Sequence, residues 1–128
     1  MLNSSEHSDL RIITDRRTEF GDRMMHCPTF PFEFRNVQAD YPILFHTNSD
    51  GEFMPVALFG FQQGENLFLD EDGWHASYLP AMVRREPFLI TYKEPETPDG
   101  IESRLVALNM DHPRVSRSEG EALFNQGN

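Results

Sequence analysis

The chain reads as an α+β domain, a mainly antiparallel sheet running as a meander with two short helices packed on it, and three observations carry that reading. Apolar runs of strand length recur at Ile43–Phe45, Val56–Phe61, Leu67–Leu69, Phe88–Lys93 and Leu105–Met110, each bounded by turn residues. The connections between the first three are short and rich in Asp, Asn, Gln and Gly, which is the chemistry of tight reversals rather than of parallel crossovers. Two stretches, Pro31–Ala39 and Pro80–Glu86, combine a proline at the start, helical apolar spacing and a proline stop.

Residues 1–9 are polar and are expected to be loose, and Leu10–Ile13 is a short β-branched run suited to an edge strand. Thr14–Gly21 is charged and reads as loop. In the first helix Phe30, Phe34, Val37 and Tyr41 should face the sheet while Glu33 complements the positive end of the helix dipole, and Pro42 ends it by pushing Tyr41 out of the α region. Ile43–Phe45 then meets Asn48-Ser49-Asp50-Gly51, where Asp-Gly predicts a hairpin with Gly51 at positive φ. The return run Val56–Phe61 is apolar at odd and even positions alike, so it should be a core strand covered on both faces. Gln62–Asn66 turns the chain into Leu67–Leu69, and Asp70–Gly73 turns it again before Trp74. The second helix has Leu79, Met82 and Val83 as its buried stripe and directs Arg84 and Arg85 outward. The last two strands should be joined by an exposed acidic hairpin loop, Pro95–Gly100. A tail over 111–128 carries Ser116/Glu119 and Ser118/Glu121 at capping-box spacing, weakened by Gly120.

A chain of 128 residues supports one domain spanning 1–128. Its 11 basic and 21 acidic residues leave a net charge of −10, a field that repels phosphate backbones and anionic headgroups, so nucleic acid is not an expected partner. The basic pairs Arg16-Arg17 and Arg84-Arg85 are too short to reverse this and read as solvated faces. A single cysteine, Cys27, excludes an intrachain disulfide, and neither a secretory signal nor an apolar run of bilayer length is present. These features point to a soluble, cytoplasmic chain without membrane insertion.

No nucleophile elbow, P-loop, dinucleotide fingerprint or zinc-protease motif occurs, so an enzyme would need a site assembled in space from Asp, Glu, His and Tyr residues. Carboxylate pairs such as Glu52 and Glu65 carry no weight alone in so acidic a chain. The five histidines and Cys27 lack the paired short spacing of zinc sites, which leaves Cys27, His46 and His75 as a weak three-ligand candidate. Asp70 and Asp72, ahead of Gly73, resemble the opening of a calcium loop, but Trp74 and His75 follow where further oxygen ligands are needed, and a plain β-turn accounts for the run. No cofactor and no stoichiometric transition metal are therefore expected. Tyr41, Trp74 and Tyr78 suit either a ligand groove or the core. Because Val56–Phe61 needs cover on two sides and two short helices supply little more than one layer, an apolar face should remain for binding. The binding candidates are thus Tyr41, Phe59, Phe61, Phe68, Trp74, Tyr78, Arg84 and Arg85.

Tyr41-Pro42-Ile43, Pro55-Val56-Ala57-Leu58, Gly64-Glu65-Asn66-Leu67-Phe68 and Tyr78-Leu79-Pro80-Ala81, followed by Arg84-Arg85, Pro87-Phe88 and Glu119–Phe124, resemble the successive motifs of the SapC family. The resemblance runs from about Phe30 to Phe124, in order and with fitting spacing. That bacterial family is named after a surface-layer-associated protein, so the resemblance implies the cell surface as an alternative location and a surface-layer component as an alternative role. Members commonly carry a further C-terminal region, which implies that region or a protein partner as the cover for the apolar face, with a homo-oligomer as the other possibility. The resemblance, together with the lack of a catalytic signature, implies a non-catalytic binding or accessory module, and the company that such genes keep implies a link to peptide modification or nutrient uptake.

Overall fold

A computed structural model describes residues 2–93 and 103–124. In chain order its elements are β1 (Arg11–Ile12), β2 (His26–Pro28), α1 (Phe34–Asp40), β3 (Ile43–Thr47), β4 (Phe53–Leu58), β5 (Leu69–Asp70), β6 (Gly73–Trp74), α2 (Ala81–Arg85), β7 (Phe88–Lys93), β8 (Ser103–Leu108), β9 (Val115–Ser116) and β10 (Glu121–Ala122). All observed strand pairs are antiparallel, and with the two short helices they make an α+β chain. The backbone contacts fall into two units, Asp15–Arg85 and the remainder on either side of it.

In the Asp15–Arg85 unit, β3 and β4 form the hairpin that Asp50-Gly51 predicts, in register from Ile43↔Ala57 to Thr47↔Phe53, and Gly51 has φ +80°. Asn48 closes its tip, its Oδ1 accepting the N–H groups of Asp50 and Glu52. The third strand of the expected meander is not beside β4. That place belongs to β2, in the order β2-β4-β3, while Leu69–Asp70 pairs with Gly73–Trp74 in a separate small hairpin. Strand β4 ends at Leu58, so contact with the Leu67 segment is one bond beyond it, Leu67 N–H to Phe59 O, and the next N–H, of Phe68, turns to the Asn66 side chain. In place of one five-stranded sheet, the described residues form four small ones.

A 3₁₀ turn at Pro31–Glu33 leads into α1, close to the expected helix. Val37 and Tyr41 are buried as its spacing requires, but Phe30 is exposed and Phe34 only half-buried, and the stripe begins instead at Glu33, 1% exposed. A carboxylate tolerates that position because its partners are built in: Thr29 Oγ1 donates to Oε1 at 2.8 Å, and Tyr78 Oη and the Ala81 N–H to Oε2, both at 2.9 Å. Val83 of α2 is fully buried beside Cys27, Val37, Tyr41, Ala57 and Phe59, with Leu79 and Met82 packed against this core.

In the other unit, the described part of the tail, residues 111–124, contains no helix. Its segments β9 and β10 flank β1 on either side, Arg11 facing Ser116 and Ala122. Leu10 and Arg114 are buried there, and the Arg114 guanidinium donates to Ile13 O at 2.9 Å. Residues 3–7, expected to be loose, close a turn through His7 N–H to Asn3 O. The ribbon β7–β8 pairs from Phe88↔Leu108 to Lys93↔Ser103, and the acidic loop expected between its strands lies outside the described residues.

Candidate functional site

The segment Gly60–Leu67 leaves the end of β4 as a compact loop tied by hydrogen bonds at several of its backbone groups. The N–H groups of Phe59 and Gly60 both donate to Met25 O, Phe61 N–H donates to Glu65 Oε2 at 2.7 Å, and Glu65 N–H returns to Gln62 O. Arg23 Nε holds Gly64 O from outside at 2.6 Å, and Asn66 Nδ2 reaches Asp22 O. Gly60 is required by close approach, since a Cβ there would overlap the Glu65 carbonyl. Loops closed on themselves in this way hold exposed side chains at little further entropic cost on binding.

What the loop presents is apolar. Phe61 is 83% and Leu67 62% exposed, and they rim a cavity of about 180 Å³ completed by Pro42, Leu58, Phe59, Gly60 and Phe68. Behind it stands an edge-to-face aromatic cluster, with Tyr41 4.6 Å from Phe68 and 5.2 Å from Phe59, and Phe59 5.1 Å from Trp74 between ring centroids. The Tyr41 hydroxyl donates to Tyr78 O at 2.6 Å and accepts from Trp74 Nε1 at 2.8 Å. Burial pushes its pKa up to about 12, against the lowering effect of the Trp74 hydrogen bond.

The binding candidates therefore divide. Phe59, Phe61 and Phe68 meet at the cavity, Phe59 as its buried floor and Phe61 as its exposed lip. Tyr41 and Trp74 belong to the core network rather than to a groove. Of the four aromatics Phe59, Phe61, Phe68 and Trp74, only Phe61 is largely exposed. Tyr78 links that network to α2, its hydroxyl on Glu33 and its ring under the Arg84 guanidinium at 5.3 Å. Burial, followed by the Glu33 hydrogen bond and charge, raises its pKa. Arg84 points outward, but Arg85 is half-buried with its Nε enclosed. Pro42, Leu58 and Leu67 are cavity residues that periodicity did not mark; the glycines at 60 and 64 around an otherwise polar turn were the available signal.

Among the described residues, the weak candidates Cys27, His46 and His75 are not brought together into one group. Cys27 is buried on the core side of β2, while His75 Nε2 contacts Asp70 Oδ1 at 2.6 Å on the outer hairpin. Asp70 also accepts Asp72 N–H in a β-turn, and these hydrogen bonds, His75 first, hold its carboxyl below the usual range. Among the described residues no three His, Cys, Asp or Glu side chains group to hold an ion. Glu52 and Glu65 are each engaged within their own turns, with Asn48 and with Phe61 N–H. No helix among the described residues is long and apolar enough to cross a membrane.

Fold and site together define an α+β protein of small antiparallel sheets that carries an exposed aromatic-rimmed apolar cavity. The family model of SapC matches residues 2–128, and the chain belongs to the SapC family. Neither a curated protein nor a solved structure matches it.

Proposed function

We propose that this chain is a non-catalytic binding module that receives one large apolar side chain of a partner protein between Phe61 and Leu67, acting as an accessory in peptide modification or nutrient uptake. The observation that carries the reading is the cavity itself: about 180 Å³, lined by apolar side chains and Gly60, with its two most exposed walls on a loop already locked by hydrogen bonds. A void of about 150 Å³ accommodates benzene, so this one suits a Phe or Leu side chain. Large exposed apolar groups concentrated around a concavity favour recognition over simple solvation. The net charge of −10 favours a basic partner surface around that anchor.

Selection of displayed random peptides on the purified chain tests this. Enriched peptides should share a single aromatic or aliphatic anchor, and their binding should fall at least about tenfold, a loss of 1.4 kcal/mol, with Phe61→Ser. The exposed control Phe32→Ser should leave binding intact. Absence of enrichment, or peptides indifferent to Phe61→Ser, would remove the proposal.

A further inference from the structure

The strand register brings together two histidines that are far apart in sequence. His26 of β2 lies opposite Leu58, and His46 of β3 opposite Met54. Residues 54, 56 and 58 of β4 alternate onto one face, so both imidazoles share that face with Met54, while Cys27, opposite Ala57, is on the other. Val56, midway between the two levels, is buried. The two rings stand 5.8 Å apart between centroids with their planes inclined by 34°. Nδ1 of His26 is enclosed and has no hydrogen-bond partner among the described residues.

Those facts fit poorly with two ordinary histidines. A neutral imidazole nitrogen withdrawn from water needs a donor, an acceptor or an ion, and His26 Nδ1 has none of these among the described groups. One ion bonded at about 2.0–2.1 Å to a nitrogen of each ring would set the centroids roughly 5–6 Å apart, which spans the observed separation. The donor set then selects the ion. Structural zinc takes four ligands, and no third His, Cys, Asp or Glu side chain joins the pair among the described residues. Met54, opposite His46 on the shared face, carries a thioether, a soft donor that discriminates in favour of copper(I), an ion satisfied by two or three ligands. We propose that His26 and His46 bind one copper(I) ion on the outer face of the β2-β4-β3 sheet, with Met54 as the third donor. This site is separate from the Phe61 cavity and does not depend on the reading given to it.

Anaerobic titration of the full chain with copper(I), in competition with the chromophoric chelator bicinchoninate, tests the site. The result expected is one ion per chain, with affinity lowered at least about tenfold in His46→Gln, the scale that loss of even an outer-shell partner produces. His46 is exposed, so this variant keeps the fold even if His26→Gln does not. Cys27→Ser should leave the affinity unchanged. X-ray absorption should show two imidazole nitrogens and one sulfur, with the sulfur lost in Met54→Leu. Failure to compete with the chelator, binding unaffected by His46→Gln, or binding abolished by Cys27→Ser would overturn the site. Nitrogen scatterers without sulfur would overturn the role of Met54.

Discussion

Tyr41 shows how one side chain can serve packing and polarity together: its ring fills the core against Phe59 and Phe68 while its hydroxyl donates a hydrogen bond to Tyr78 O and accepts one from Trp74 Nε1. Burial of the phenol, outweighing the opposite effect of the Trp74 hydrogen bond, resists its ionisation in the folded state, the pKa rising from 10.0 to about 12. Below pH 10 both states keep the proton and this contribution to stability is complete; as pH rises toward 12 the unfolded chain ionises first and the contribution is lost. The thermal midpoint should fall over that interval, and the fall should be shallower in Tyr41→Phe. A wild-type profile matching that of the variant would show the phenol to be unperturbed. Gly60 makes a second case at this scale. Gly60→Ala should open the loop, and binding of anchor peptides should be lost while far-UV circular dichroism stays unchanged. Retained binding would mean that the loop is not what shapes the cavity.

At the scale of elements, the β3–β4 hairpin and the Glu33 junction illustrate local and non-local control. The hairpin turn depends on Gly51 at φ +80°, where a β-branched side chain is strained even though nothing lies within 4 Å of the new Cβ. Gly51→Val should cost at least about 1 kcal/mol in urea unfolding, and no change would count against the turn. Glu33 joins the 3₁₀ turn before α1 to Thr29, to Tyr78 and to the first N–H of α2, three donors converging on one buried carboxylate. Glu33→Gln places an amide among those donors and should destabilise the chain by about 1–3 kcal/mol. A neutral outcome would show that the junction rearranges freely. Sequence spacing foresaw both helices, yet it marked Phe30 for burial and gave Glu33 only a helix-dipole role, because hydropathy alone does not reveal that three donors await a carboxylate.

For the whole molecule the opposing quantities are exposed apolar area and charge. Phe45 and Phe53 share a face at the far end of the hairpin and are 69% and 76% exposed, and Phe61 and Leu67 add a second apolar surface. A net charge of −10 offsets their tendency to associate. Between about 0.01 M and 1 M salt the screening length falls from about 30 Å to about 3 Å, so self-association measured by sedimentation should rise with salt and be reduced in Phe61→Ser. Association that weakens with salt would point to ion pairs as its cause.

The amino-acid sequence by itself determined the Asp50-Gly51 reversal, the two helices and their proline boundaries, the acidity and the succession of family motifs. Each depends on dihedral limits or spacing within a few residues, or on composition. Tertiary structure decided that β2 rather than Leu67–Leu69 completes the sheet, that Phe59 lies inside and Phe61 outside, and that His26 meets His46. The physical reason is the partner of β4's second edge. A run apolar on both faces demands cover but does not name it, and long-range packing chose a strand from before α1, setting the burial of the residues around it.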